Sequence, residues 1–219
     1  MKIKLMYAAL VMTSCFAQAA TPVPALSSIA YPIETTGTDG GLTSTTNGFE
    51  LTAKHGTDLF LSGDGASAAD NTPRVLFRPV GDFILSAKVT AQFKREFDGA
   101  SLIVYGDGRN WAKLLYEQPR KGTPGISSTV AKGVGDDAHH GLAPATATYL
   151  KIARMKEMYV FYASDDGVTW RMVRNVHLPS KTPMSVGFSA QSPEGERLTA
   201  TFSAIKFRPV TFKDFWQGE

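Results

Sequence analysis

The residues best suited to chemistry lie in one short segment, residues 111–117, which reads Trp-Ala-Lys-Leu-Leu-Tyr-Glu. On a β-strand, successive side chains point to opposite faces. The apolar face would carry Ala112, Leu114 and Tyr116. The opposite face would carry Trp111, Lys113, Leu115 and Glu117. We therefore expect the apolar face to lie in a core and the polar face to be exposed on a concave sheet.

We expect this exposed face to bind a polysaccharide or an oligosaccharide. Sugar rings stack on aromatic planes, and their hydroxyls bond to amides and carboxylates. The candidate ligand-binding residues, drawn from several predicted strands, are Gln92, Tyr105, Trp111, Lys113, Glu117 and Gln191. The alternative is that Lys113 and Glu117 form a charge pair that only keeps a wet sheet face soluble.

Glu117 also supports a second interpretation, a glycoside hydrolase or polysaccharide lyase that uses it as acid or base. Retaining glycosidases need two carboxyl groups about 5–5.5 Å apart, one of them protonated. Glu96 and Asp98 have a suitable i, i+2 spacing, but they precede Gly99 in a turn, where we expect them to be solvated. We therefore predict no catalytic residue and leave the question of activity open.

The sequence favours neither a metal nor a cofactor. Two histidines and two aspartates lie close together at 136–140, but adjacent residues seldom reach one ion, and flanking glycines indicate a loop. Oxygen ligands for calcium could come from Asp58, Asp64, Asp70 or Asn71, without the spacing of a dedicated calcium loop. The sequence also lacks a P-loop, a dinucleotide fingerprint and a G-x-S-x-G nucleophile setting.

We expect strands to position these side chains, because apolar and polar residues alternate with a period of two in several segments of the chain. This alternation is longest at residues 83–93. Residues 101–105 and 111–117 form a predicted hairpin across a Gly- and Asp-rich turn. Further strands are predicted at 149–154, 159–164, 169–173, 186–191 and 198–207. With no helical period of ten residues or more, the pattern predicts an all-β sandwich or barrel.

Two turn-rich stretches, residues 62–72 and 119–144, do not fit a strand. Long loops within a compact domain are often functional. We therefore expect these two stretches to be loops and to border a functional site.

The first residues carry the three parts of a secretion signal: a basic start, a short apolar run and an A-x-A-like site. We predict a signal peptide at 1–20, an extended linker at 21–30 and a single β-sandwich domain at 31–219. The protein is then periplasmic or extracellular. Cys15, the one cysteine, is either discarded with the signal peptide or kept as a lipid anchor.

Charge and hydropathy bear on two possible partners of the chain, nucleic acid and the lipid bilayer. The chain has 23 basic and 20 acidic residues, and loss of Lys2 and Lys4 would leave a net charge of about +1. No clustered basic face indicates nucleic-acid binding. No second apolar stretch of the roughly 20 residues that span a bilayer follows the leader.

The aromatic tail at 212–216 supports a third interpretation, a structural or protein-interaction module of the cell envelope. Its three aromatic side chains either form a docking patch or pack back onto the sheet and cover a core edge.

The chain also resembles a concanavalin A-like family that is named after a yeast regulator of enolase and has no assigned function. The resemblance spans residues 40–208 and is carried by the segments 56–60, 70–73, 98–117, 161–170 and 186–193. It implies a two-sheet antiparallel jelly-roll sandwich, a fold shared with lectins and glucanases. Tyr149 stands where the family often has Trp. Fold alone does not assign an activity.

Overall fold

The structure is a computed structural model that describes residues 23–144, 146–180 and 182–219. The predicted signal peptide at 1–20 and its Cys15 lie outside these residues. No helix within the described ranges is long and apolar enough to cross a membrane.

Strands dominate the described part of the chain, where the helical elements are two three-residue 3-10 helices, Pro24–Leu26 and Thr38–Gly40. The strands are β1 (Glu34–Thr36), β2 (Leu42–Thr45), β3 (Gly48–Lys54), β4 (Leu59–Leu61), β5 (Ala68–Asp70), β6 (Arg74–Phe77), β7 (Phe83–Ala91), β8 (Gly99–Asp107), β9 (Asn110–Glu117), β10 (Gly125–Lys132), β11 (Gly135–Leu142), β12 (Ala147–Met155), β13 (Met158–Ser164), β14 (Arg171–His177), β15 (Ser185–Gln191) and β16 (Arg197–Arg208).

Two seven-stranded antiparallel sheets face each other. The first sheet has the order β1-β6-β15-β8-β9-β10-β11, and the second has the order β14-β13-β12-β7-β16-β3-β2. The predicted two-sheet antiparallel sandwich of the jelly-roll type is therefore confirmed. The predicted hairpin is also present, with Tyr105 of β8 opposite Trp111 of β9.

Aromatic side chains from both sheets fill the core between them. Phe49 of β3 meets Phe188 of β15 edge to face, with ring centroids 5.2 Å apart. Phe202 of β16 packs against both rings. Strand β7 follows the predicted alternation, since Phe83 and Leu85 lie in the same core. Such edge-to-face contacts add to the stabilisation that apolar burial supplies.

Residues 119–144 are not the loop that their composition indicated, because they contain the paired strands β10 and β11. Their hydrophobic alternation is weak because Ser127 and Thr129 stand on the outer face and Ser128 interrupts the core face between Ile126 and Val130. Residues 62–72 likewise include a short strand, β5, which pairs with β4.

Part of the segment expected to be an extended linker packs against the domain. Val23, Leu26 and Ile29 are buried in the main core cluster, and a 3-10 helix turns the chain between them. The alternation of prolines with apolar residues hid this packing, because it reads as an extended segment.

The β4–β5 hairpin crosses the outer face of the first sheet. Leu59 and Leu61 pack there on Trp111 and Ala131. Gly135 permits the close approach of β4 to β11, because a Cβ at this position would stand 1.7 Å from the Leu61 carbonyl oxygen. One end of the first sheet is thereby covered, and the other end is left as a cavity.

The aromatic tail packs back onto the outer face of the second sheet. Phe212 is buried and Phe215 partly buried in a cluster that includes Tyr162 and Trp170. Trp216 remains 67% exposed. Of the two alternatives for the tail, the structure therefore favours coverage of a sheet face over a free docking patch.

Candidate functional site

Strand β9 separates its side chains between the core and the outer face of the first sheet. Leu114 and Tyr116 lie in the core, whereas Lys113 and Glu117 line a cavity on the outer side. Gln191, at the end of β15, reaches the same cavity. Three of the six candidate residues therefore meet in one place.

The cavity has a volume of about 440 Å³, and acidic side chains dominate its charge. Its aromatic wall residues are Phe60 and Phe97. Its charged and titratable lining residues are Asp58, Lys113, Glu117, Asp137, His139 and Glu194. Cavities of this size, with apolar walls and a few convergent polar groups, are typical of small-molecule sites.

Lys113 is a buried anchor of this site. Its Nζ donates to the Leu59 carbonyl oxygen at 2.6 Å and to Gln191 Oε1 at 2.8 Å, and it lies 3.7 Å from Asp58 Oδ1. Gln191 Nε2 donates in turn to the Phe97 carbonyl oxygen at 3.1 Å. The ammonium group therefore joins β4, β9 and β15, and the protein itself uses its donors.

Glu117 is a buried carboxyl group on the cavity wall, with 8% of its surface exposed. Burial raises the pKa of Glu117, and the Ser127 hydroxyl, Lys113 and His139 offset that rise only in part. Burial also raises the pKa of Asp58 against the opposing charge of Lys113. Asp58 Oδ1 has no hydrogen-bond partner among the described residues.

The β10–β11 pair forms the remaining wall. Ser127 and His139 lie opposite each other, with Ser127 Oγ 2.7 Å from His139 Nδ1. The Thr129 hydroxyl donates to the Asp137 carboxylate. Sequence reasoning missed this wall, although the i, i+2 spacing of Asp137 and His139 was a signal for a shared strand face.

The neighbours of Asp137 and His139 in sequence point elsewhere. Asp136 pairs with Arg174 of β14 at 2.6 Å, and His140 Nε2 lies 2.8 Å from Ser128 Oγ. Alternation along a strand thus separates the four residues that were considered as a metal site. Across the described ranges, no group of three or more potential metal ligands is gathered.

Trp111 does not supply the exposed aromatic plane that the sequence led us to expect. It is fully buried beneath Leu59 and Leu61, and its Nε1 donates to the Gly108 carbonyl oxygen at 3.2 Å. The β4–β5 hairpin covers this part of the outer face. The aromatic surface beside the cavity comes instead from Phe60 and Phe97.

Gln92 and Tyr105 lie outside the cavity, which corrects their assignment to a common binding face. Gln92 follows β7 of the second sheet and borders a shallow groove with Arg197. Tyr105 donates to Asp70 Oδ2 at 2.7 Å, and the Arg74 guanidinium lies 4.3 Å from its ring centroid. Strand parity alone could not show which sheet, or which end of it, each residue would occupy.

Asp98 is fully buried, which corrects the expectation of a solvated turn. Its carboxylate accepts the backbone N–H groups of Lys94 at 3.0 Å and Arg95 at 3.1 Å, and the Ser192 hydroxyl at 2.7 Å. Glu96 stays near the surface, 3.2 Å from Arg120. Asp98 therefore ties the turn before β8 to the end of β15, beside the cavity.

We expect Asp98→Ala to lower the free energy of unfolding by about 3 kcal/mol, because it leaves buried donors without an acceptor. Asp98→Asn should cost less, since an amide can still bond to these groups. Glu96→Ala is the matched control, with an expected change within about 0.5 kcal/mol. Urea unfolding measures all three, and equal losses for Asp98→Ala and Glu96→Ala would contradict this role.

Comparison with known proteins finds solved structures with a similar fold and a protein family whose sequence profile matches this chain. A functionally unknown protein from Saccharomyces cerevisiae has a similar structure, with a TM-score of 0.74 and 21% identity over 80% of this chain and 95% of that chain. A GH43B protein of a Bacteroides ovatus xyloglucan PUL has a TM-score of 0.60 and 21% identity, over 74% of this chain and 33% of that one.

A xylan beta-1,4-xylosidase from Bacillus halodurans C-125 has a TM-score of 0.58 and 18% identity. The likeness covers 74% of this chain and 32% of the xylosidase, so the chain spans about a third of such enzymes. No curated protein sequence matches the chain. The sequence profile of a family described as "Protein of unknown function (DUF1349)" matches residues 40–210.

Proposed function

This chain belongs to the DUF1349 family of proteins of unknown function, and we propose that it is an exported domain that binds a carbohydrate in the cavity beside Glu117. The observation that carries the proposal is the convergence of Lys113, Glu117 and Gln191 on one cavity of about 440 Å³. Such a volume suits a small ligand or one end of a longer chain.

The chemistry of the cavity wall supports a sugar. Phe60 and Phe97 offer apolar surface for the C–H face of a ring, and the carboxyl groups of Glu117 and Asp137 can accept hydroxyl protons. The fold likeness to a xylan beta-1,4-xylosidase and to a GH43B protein of a xyloglucan PUL is further support. Membership of the group named after a yeast regulator of enolase is also part of the proposal, and it rests on the sequence segments given above.

We expect Glu117→Gln to weaken glycan binding about 10- to 100-fold, because it replaces a buried carboxyl group of the cavity wall with an amide. Gln92→Ala, on the opposite sheet, is the control and should leave binding unchanged. The measurement is a glycan array of plant and microbial polysaccharides followed by calorimetric titration of the best ligand. Failure of the folded wild-type protein to bind any glycan would refute the proposal.

A second candidate function, glycoside hydrolysis or polysaccharide lysis, is favoured by a specific observation at Glu117. Burial raises the pKa of Glu117 in a cavity that also contains the Asp137 carboxyl group. Acid–base catalysis uses such a pair, one group protonated and one ionised. Product release from a polysaccharide panel that is lost in Glu117→Gln would support it, and undiminished release in that variant would exclude Glu117 from the reaction.

Export is part of the proposal and rests on the basic and apolar start of the chain. In bacterial cells that make the full chain, we expect the protein in the periplasm or the medium, cut near residue 20. Fatty-acid labelling that depends on Cys15 would identify a lipid anchor, and Cys15→Ser is the matched variant. An uncut protein in the cytoplasm would contradict export.

A further inference from the structure

The lysine, glutamine and threonine donors of the cavity are already committed within the protein. The Lys113 ammonium group donates to Leu59 and Gln191, and the Gln191 amide donates to Phe97. The Thr129 hydroxyl donates to Asp137. A ligand therefore meets few free donors on this wall.

The groups that remain are mainly acceptors. Four carboxyl groups line the cavity against a single lysine. Ionised carboxylates accept hydrogen bonds and cannot donate them. The cavity thus has an excess of negative charge, although the whole chain has a formal net charge of +3.

Two of these carboxyl groups, Glu117 and Asp58, share the single lysine of the cavity. Glu117 is more than nine-tenths buried and lines the cavity, and its nearby Ser127 hydroxyl is shared with His139. Asp58 Oδ1 is buried and has no hydrogen-bond partner in the part of the chain that the structure describes. A buried carboxylate is costly unless a cation or several donors accompany it. Lys113, 3.7 Å from Asp58 Oδ1, is the single lysine beside these carboxyl groups, and a positively charged ligand would supply a second cation.

We propose that the carbohydrate held in this cavity is an amino sugar with a free ammonium group, placed against Glu117 and the acidic wall formed with Asp137. This inference rests on the proposed function and names its ligand class. The same charge excess disfavours uronic acids, because like charges brought together in a desolvated site are repelled. Neutral sugars keep the hydroxyl contacts but lack the charge pair.

The test compares four disaccharides by calorimetric titration into the purified protein: the disaccharide of glucosamine, its fully N-acetylated form, cellobiose and digalacturonic acid. We expect the glucosamine disaccharide to bind about tenfold or more tightly than cellobiose or the N-acetylated form, which is the factor that a single charged contact of about 1.4 kcal/mol produces. Digalacturonic acid should bind weakest.

Glu117→Gln should reduce the preference for the glucosamine disaccharide to about threefold or less, whereas Gln92→Ala should preserve it. Asp137→Asn is a second variant, at the exposed rim of the cavity, in case Glu117→Gln unfolds. Equal or tighter binding of cellobiose or digalacturonic acid would overturn the amino-sugar inference while leaving carbohydrate binding intact. An unchanged preference in both acidic-residue variants would also overturn it. No binding to these or any other glycans would instead refute the proposed function.

Discussion

Removal of residues 212–219 is expected to lower the free energy of unfolding by about 3–5 kcal/mol, the usual cost of breaking a buried charge pair. Lys151 on β12 is 1% exposed, and its Nζ donates to the carbonyl oxygens of Gln217 at 3.0 Å and Gly218 at 3.2 Å. It also pairs with the Glu219 carboxylate and lies 4.0 Å from the Trp170 ring centroid. Truncation removes every one of these oxygen acceptors.

Urea unfolding of the full and shortened chains measures this loss. Trp216→Ala is the control within the tail, and because its side chain is exposed we expect a change within about 0.5 kcal/mol. Lys151→Met should restore part of the stability of the shortened chain, since it removes the uncompensated charge. Equal midpoints for the full and shortened chains would contradict this explanation.

The cost of truncation should also depend on pH. Burial lowers the pKa of Lys151, so the folded chain holds this proton less tightly than the unfolded chain does. Loss of the Glu219 carboxylate removes an interaction that raises this pKa. The penalty is therefore largest at a pH below the pKa of Lys151 in the folded, shortened chain. It shrinks as the pH rises through this pKa, in a range that lies below about 10.4, the value for an unfolded lysine. Unfolding curves at several pH values would show this trend, and a penalty that grows with pH would oppose it.

Lys113→Met is expected to lower the free energy of unfolding by about 3 kcal/mol and to loosen the β4–β5 hairpin. The substitution leaves the Leu59 carbonyl oxygen and Gln191 Oε1 without their donor. It also leaves the Asp58 carboxylate without its neighbouring cation. Because Lys113 joins three strands, we expect the amide protons of Leu59 and Leu61 to exchange faster with solvent.

Urea unfolding and amide hydrogen exchange check this prediction. Lys54→Met is the matched control, because Lys54 forms an exposed pair with Asp39 and should contribute little. Adding Asp58→Asn to Lys113→Met should recover part of the loss, since the buried charge is then removed. Unchanged exchange at β4 would show that Lys113 does not hold the hairpin.

Much of the candidate site follows from strand parity. Because Leu114 and Tyr116 are apolar, their face of the strand was expected in the core. The alternate side chains, Lys113 and Glu117, were therefore expected on the outer face. Gln191 follows from the same rule on β15. The rule is reliable here because an apolar strand face must be buried, and a shift of one residue would expose it.

The positions of Gln92 and Tyr105 depended on which strands pair with each other in the sheets. Gln92 directly follows β7, and β7 belongs to the second sheet. Tyr105 lies in the correct sheet, and Asp70 and Arg74 engage it away from the cavity. Pairing between distant segments is not encoded in the local pattern of either strand.

The sequence by itself determined the all-β class, the strand faces and the convergence of Lys113 with Glu117, because these depend on a two-residue period within one strand. Only the tertiary structure decided that the β4–β5 hairpin buries Trp111 and that His139 of β11 joins the site. Both features arise from segments more than 20 residues away along the chain, brought together by packing on the outer face. Local periodicity shows which face a side chain takes, whereas long-range packing decides what covers that face.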